Sequence, residues 1–268
     1  MDHPLDRLTH NTRRAVQALR CFDDGPRLLG ELLRPRSRPE VRFRVPNGPT
    51  IDCPNRPGAR VPVFELFADD AYRLDELLAG LPADATILDI GGHIGCFSVA
   101  VASRLPHAVV HAYEASPTTA SWLARNVAAN GLDGRVTAHA EAVGSVAGTI
   151  HLEDNSAGSS LNRVTAETAA TATTVAVRCV SLADAFTACG RTPDLVKIDT
   201  EGAEYDMVLG SDPGLWAGVR RIVLEYHDVP GHDWDELAGH FDRAGFDLVR
   251  RDAASPRQGT AWLVARGA

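Results

Sequence analysis

Asp194-Leu195-Val196-Lys197-Ile198-Asp199-Thr200-Glu201-Gly202-Ala203-Glu204 reads as a short strand that stops on charge. Leu195, Val196 and Ile198 are sheet-forming residues, and Pro193 marks the entry. At Gly202 the backbone must turn, and Ala203 to Leu209 has helical character. In a doubly wound sheet, ligands bind outside the carboxyl ends of the strands. Asp199 and Glu201 stand at that end. Lys197 and Asp199 are two apart, so on a strand they point to one side. Lys197 is also the only lysine among 27 Lys and Arg residues. Where Arg is the default cation, a lysine suggests a place that the planar guanidinium cannot fill. Two roles fit equally well. Its ammonium could orient Asp199 or meet substrate, or it could form a buried ion pair that closes the strand end.

Around this stretch, strands and helices alternate from Ala83 onward. Strands are expected at 86–90, 108–113, 136–143 and 219–225, with closing strands at 246–249 and 260–265. Helices are expected at 95–105, 117–130, 181–188 and 233–244. This alternation means an α/β fold with a mainly parallel sheet and helices on both faces. Segments 148–152 and 174–180 read as an added antiparallel pair. The Ser-, Ala-, Thr- and Gly-rich stretch 153–173 between them reads as a loop.

Residues 1–82 read as a separate N-terminal extension, a cap on the substrate side, before a ligand-binding domain at 83–268. Helices are expected at 5–20, 27–33 and 71–81, a hairpin at 41–52, and a loop at 55–62.

The formal charge of −8 argues against nucleic acid and anionic membrane as partners. No apolar run reaches membrane-spanning length, and Met1-Asp2-His3-Pro4 lacks a basic-then-apolar signal pattern. The five cysteines are scattered without a C-x-x-C pair, so a reducing, cytoplasmic setting is expected.

Asp89-Ile90-Gly91-Gly92-His93-Ile94-Gly95 follows the first core strand and opens a helix. Such glycines let the backbone turn sharply and approach a ligand. Glu114 ends the next strand, about twenty residues on, where a carboxylate accepts ribose hydroxyls. Ala115 follows it, and Ser116-Pro117 is a helix N-cap with proline in the first turn. The spacing of Gly91, Gly92 and Gly95 does not match the dinucleotide fingerprint. Asp89 disfavours a pyrophosphate on this loop and suits the aminoacyl end of a cationic sulfonium, which points to S-adenosylmethionine over NAD. Asp89 could also serve simply to fix the loop. His93 stands in the loop as a contact to cofactor or substrate, or as a capping group. Glu141 and Ala142 lie where an adenine amino group would be reached.

The chain resembles the FkbM-type S-adenosylmethionine-dependent methyltransferases. The motifs that carry the resemblance are Asp89 to Gly95, Tyr113 to Pro117, Gly158-Ser159-Ser160-Leu161, and above all Asp194 to Glu204 with Leu224-Glu225. It covers about residues 84 to 266 and implies a Rossmann-like sheet of seven strands, the last antiparallel. It implies methyl transfer, mostly to a hydroxyl of a sugar or another secondary metabolite. Nitrogen methylation is an alternative. A non-catalytic cofactor-binding module and a nicotinamide oxidoreductase are weaker readings.

An alcohol acceptor loses its proton around the transition state, so a base or a metal is useful. The candidates are Lys197, Asp199 and Glu201 at one strand end and Glu225, His227 and Asp228 at the next. Asp199 could also touch the cofactor. Asp199 and Glu225 could instead share Mg²⁺ through oxygen ligands. Glu204 is expected to stabilise the helix start near Gly202, and Ser159 and Ser160 could line the substrate mouth. A small-molecule acceptor is the expected partner, with a homodimer left open.

Overall fold

In the computed structural model, residues 4–153, 164–165 and 174–267 are described. The central sheet comprises β3 (Thr86–Ile90), β4 (Val109–Tyr113), β5 (Val136–His139), β10 (Leu195–Ile198), β11 (Arg221–Tyr226), β12 (Phe246–Ser255) and β13 (Gln258–Ala265). Its order is β12-β13-β11-β10-β3-β4-β5. Neighbours from β11 to β5 are parallel, whereas β13 runs antiparallel to both β11 and β12. Strand order reverses between β3 and β10, the place where such sheets hold ligands.

Side chains alternate across the sheet, and two cores follow. Ile87, Val110, Leu195 and Val223 face one core, with residues of α5 (Cys96–Arg104) and α6 (Pro117–Ala129). Leu88, Ile90, Val196, Ile198, Ile222 and Leu224 face the other. That second core also holds residues of α7 (Leu182–Ala188), α8 (Glu204–Leu209) and α9 (Trp234–Arg243).

The N-terminal segment belongs to the first core. It contains α1 (Pro4–Cys21), α2 (Gly25–Leu32), β1 (Glu40–Arg44), β2 (Thr50–Pro54), α3 (Pro57–Phe67) and α4 (Leu74–Leu78). Phe22, Phe43 and Phe64 meet edge to face, with centroids 5.1, 5.7 and 5.5 Å apart. The same cluster includes Ile51, Ile87 and Val99, so the extension and the sheet bury apolar surface together.

Among the described residues local expectations hold with four corrections; most of the loop expected over 153–173 lies outside those residues, and Val164–Thr165 within it is strand. The segment 55–62 is not a loop, because α3 begins at Pro57 and carries Pro62 inside it. Proline fits the first turn, and burial of Ala59, Val63, Phe64 and Leu66 offsets the hydrogen bond that Pro62 forfeits. The helix expected over 71–81 shrinks to α4, since Arg73 takes a left-handed φ of 39° just before it. The strand expected over 136–143 splits. β5 ends at His139, and β6 (Ala142–Gly144) leaves to pair with β9 (Thr174–Ser181) in a second sheet. That sheet is completed by β7 (Gly148–Glu153) and β8 (Val164–Thr165), and β7 pairs antiparallel with β9. The closing strands β12 and β13 are longer than periodicity suggests, because their outer residues pair as a hairpin beyond the core. Ser159 and Ser160 lie outside the described residues. Among the described residues, no helix is long and apolar enough to cross a membrane.

Candidate active site

The loop after β3 is fixed from beneath. Gly91 and Gly92 both donate their N–H groups to the Tyr113 carbonyl, at 2.9 and 2.8 Å. Gly91 has φ 78°, and a Cβ there would lie 1.7 Å from the Asp199 carbonyl oxygen. Gly95 also has positive φ, at 87°, as it leads into α5. Below the loop, the Lys197 ammonium donates to the Gly91 carbonyl at 2.6 Å. It lies 3.3 Å from Asp89 and 3.5 Å from Asp199. Burial pulls the Lys197 ammonium toward neutrality, but the charges of Asp89 and Asp199 outweigh it and hold its pKa above the ordinary value.

Asp89 is fully buried and accepts a hydrogen bond from Ser98 at 2.6 Å. Its carboxylate thus lies beneath the loop, with one oxygen held by Ser98 and the other buried beside the Lys197 ammonium without a hydrogen-bond partner.

Glu114 is tied from both sides. One carboxylate oxygen accepts the His93 N–H and the other the Ser116 N–H, each at 2.9 Å. A carboxylate has about four lone-pair sites, so acceptor capacity remains. Burial is the main cause that pushes the Glu114 pKa up to about 7. Ser116 caps α6 through the Thr119 N–H. His93 holds a left-handed φ of 50°, and burial lowers its imidazole pKa to about 4. Its Nδ1 is buried without a hydrogen-bond partner. Ala115 packs on the small cluster that includes Ala142. Glu141 lies in the short link between the two sheets and pairs with Arg178 at 2.5 Å.

Glu204 organises the other half of the site, a role that sequence reasoning missed. It is fully buried. One oxygen accepts the Gly202 N–H at 2.8 Å and the Thr200 hydroxyl at 3.1 Å, so the expected support of the helix start is present. The other oxygen accepts the His227 backbone N–H at 2.7 Å and lies 3.1 Å from His227 Nδ1. This grip turns His227 Nε2 toward three acids. It lies 3.5 Å from Glu201 and 3.9 Å from both Asp199 and Glu225. These separations exceed hydrogen-bond length and act through charge.

Burial disfavours the imidazolium of His227, but Glu204, Glu201 and Asp199 outweigh it and raise its pKa. Glu225 is raised well above the usual carboxylate range by burial and then by Asp199. Glu201, itself at a left-handed φ of 55°, is raised by burial as well.

The N-terminal segment reaches the same charges. Burial raises the Tyr72 phenol pKa, and the carboxylates of Asp199 and Glu225 raise it further. Its ring meets Phe97 of α5 edge to face at 5.4 Å. Glu65, exposed on α3, is raised by partial desolvation, with Asp199 adding to the shift. Tyr72 falls in the helix expected over 71–81, and no local signal in the sequence reveals its place beside these charges.

The cradle around Gly91, the anchored carboxylate of Glu114 and the unpartnered His93 nitrogen suit an adenosine ligand at the loop, with the acidic cluster around His227 at the neighbouring strand ends. The family description "Methyltransferase FkbM domain" matches residues 89–248. The chain belongs to the FkbM methyltransferase family. As an FkbM methyltransferase it is S-adenosylmethionine-dependent, and its seven-stranded sheet is the class I Rossmann-like sheet of such enzymes.

Curated relatives agree with the FkbM assignment. The chain is 26% identical over 237 residues to "31-O-demethyl-FK506 methyltransferase FkbM" of Streptomyces tacrolimicus, covering 77% of this chain and 89% of the relative. It is 29% identical to "Methyltransferase sdnD" of Sordaria araneosa, covering 69% of this chain and 81% of that one. It is 30% identical to the "AMB antimetabolite synthetase AmbE" of Pseudomonas aeruginosa, covering 70% of this chain but spanning only 11% of that relative's length. The crystal structure of a methyltransferase FkbM from Methylobacillus flagellatus is similar at TM-score 0.49 and 12% identity, over 97% of this chain and 60% of that one.

Proposed function

We propose that this FkbM methyltransferase methylates a hydroxyl oxygen of a small-molecule acceptor, a secondary metabolite or sugar, at the carboxyl ends of β10 and β11. One observation carries the reading: Asp199, Glu201 and Glu225 converge on His227, which Glu204 holds in place. An alcohol must surrender a proton as its oxygen is alkylated, so it needs such a base. An amine acceptor can arrive with its lone pair already free and needs one less. The Streptomyces tacrolimicus relative is named for a 31-O-demethyl acceptor, in line with oxygen.

S-adenosylmethionine, when bound, supplies the activated methyl group and its leaving group. The loop from Gly91 to Gly95 and Glu114 would hold it, and Ala115, Ser116, Glu141 and Ala142 would border its adenosine. Glu225 is the base in this reading. Its raised pKa brings a carboxylate nearer the working pH, where general-base catalysis is most effective. His227, kept protonated by its acidic neighbours, balances their charge and steers the hydroxyl. Tyr72 and Glu65 face the acceptor from the N-terminal segment, which serves as the cap on that side.

A metal reading has separate support. Ligand atoms of Asp199, Glu201 and His227 all lie within 4.8 Å of one another. This trio keeps Asp199 from the pair expected in the sequence but takes Glu201 and His227 in place of Glu225. These side chains would hold a divalent cation such as Mg²⁺, which when bound polarises a hydroxyl. Activity that survives dialysis against chelator would remove this reading and leave the side-chain base.

The acceptor reading is tested by incubating the protein with deuteromethyl-labelled cofactor and a panel of hydroxylated and aminated small molecules. Mass spectrometry should find the labelled methyl on oxygen. Label found on nitrogen alone would overturn the oxygen assignment.

A further inference from the structure

Asn126 of α6 is fully buried, and its amide joins two segments distant in sequence. Its Oδ1 accepts the Asp52 N–H of β2 at 2.7 Å. Its Nδ2 donates to the Asp52 carbonyl at 2.9 Å and to the Ile94 carbonyl at 2.8 Å. Both amide hydrogens are used, and only this orientation sets donors against carbonyls. Ile94 lies between His93 and Gly95, inside the cofactor loop. One turn later, Asn130 repeats the motif on the hairpin without reaching the loop, and its Nδ2 also donates to the Asn126 carbonyl at 2.7 Å. It accepts the Thr50 N–H at 2.9 Å and donates to the Thr50 carbonyl at 2.7 Å. Among the described residues, β2 pairs with β1 as its strand partner. The two amides serve its other edge as a neighbouring strand would.

We propose that Asn126 is a positioning residue for the cofactor loop, tying its conformation to the seating of the N-terminal hairpin. This goes beyond the acceptor reading and does not depend on it. The loop carries three residues at positive φ, Gly91, His93 and Gly95. For His93 that backbone is unfavourable and persists only where its surroundings over-determine it. Asn126 supplies such a constraint on the next carbonyl. Ile94 and Ile51 share one core cluster, so apolar packing runs beside the hydrogen bonds. Loop and hairpin then respond together, and a ligand that orders one orders the other.

The test compares Asn126→Ala with Asn130→Ala in the full chain, using calorimetry with S-adenosylhomocysteine. Both variants lose hydrogen bonds to the hairpin, but only the first releases Ile94. Asn126→Ala should bind about tenfold more weakly, and Asn130→Ala should stay within about twofold of the parent. Parental affinity in Asn126→Ala, or equal weakening in both, would overturn the proposal. If Asn126→Ala does not fold, hydrogen exchange on the parent decides. Adding S-adenosylhomocysteine should slow exchange of the Asp52 amide as well as the amides of the loop. Slowing confined to the loop would overturn the coupling.

Discussion

Lys197 carries its charge at 3% exposure, beside a fully buried Asp89. The ion-pair role weighed for it in the sequence is present, and it also pins the Gly91 carbonyl. Removing one partner of a buried pair leaves an uncompensated charge, which costs about 3–5 kcal/mol. Lys197→Met should lose stability of that order in urea denaturation, and a parental midpoint would contradict the role. Glu114 gives a pH signature. With its pKa pushed up to about 7, the cofactor-free protein carries a partly protonated Glu114 near neutrality. In the proposed contact with the ribose hydroxyls the charged form is the better acceptor, so affinity for S-adenosylhomocysteine should be full above that pH. Below it, affinity should fall by up to about tenfold per pH unit, and Glu114→Gln should flatten the dependence in calorimetry. The folded protein also holds a proton here that the unfolded chain releases at lower pH. Glu114's contribution to stability therefore declines as pH rises from the ordinary carboxylate range through about 7. The carboxylates and His227 were legible as strand-end groups. The buried partnership of Glu204 with His227 spans 23 residues, and nothing local in the sequence announces it.

The loop between β3 and α5 works by proximity to β10. Gly91 leaves no room for a side chain, because a Cβ would meet the Asp199 carbonyl at 1.7 Å. Its φ of 78° would strain any replacement as well. Gly91→Ala should push loop and strand end apart and weaken S-adenosylhomocysteine binding by at least about tenfold, while Gly131→Ala, where a Cβ meets open space, should not. Equal affinities in the two variants would show that the close approach is incidental. Period and punctuation made the parallel strands readable, since each is a short apolar run ending on charge or glycine. The same signals failed at α3, where two prolines imply a loop but burial of Phe64 and its neighbours decides for helix. They failed again after His139, where strand propensity continues but the chain changes sheets. Tertiary packing overrides local preference at both places.

Across the whole molecule, the cleft draws on parts that are far apart in sequence. Tyr72 and Glu65 come from the N-terminal segment, Asp199 and Glu201 follow β10, and Glu225 and His227 end and follow β11. In the proposed oxygen methylation these acids gather where a proton must be taken. The order of the sheet strands fixes this convergence, because β10 and β11 are neighbours and β3 brings the loop from Gly91 to Gly95 alongside. The most direct test is Glu225→Gln, which keeps the shape of the side chain and removes its basicity. With a hydroxylated acceptor from the labelled screen, methyl transfer should fall by about 10²–10⁴-fold, while calorimetric affinity for S-adenosylhomocysteine stays at the parental value. Parental turnover in Glu225→Gln would contradict the assignment of Glu225 as the group that takes the hydroxyl proton.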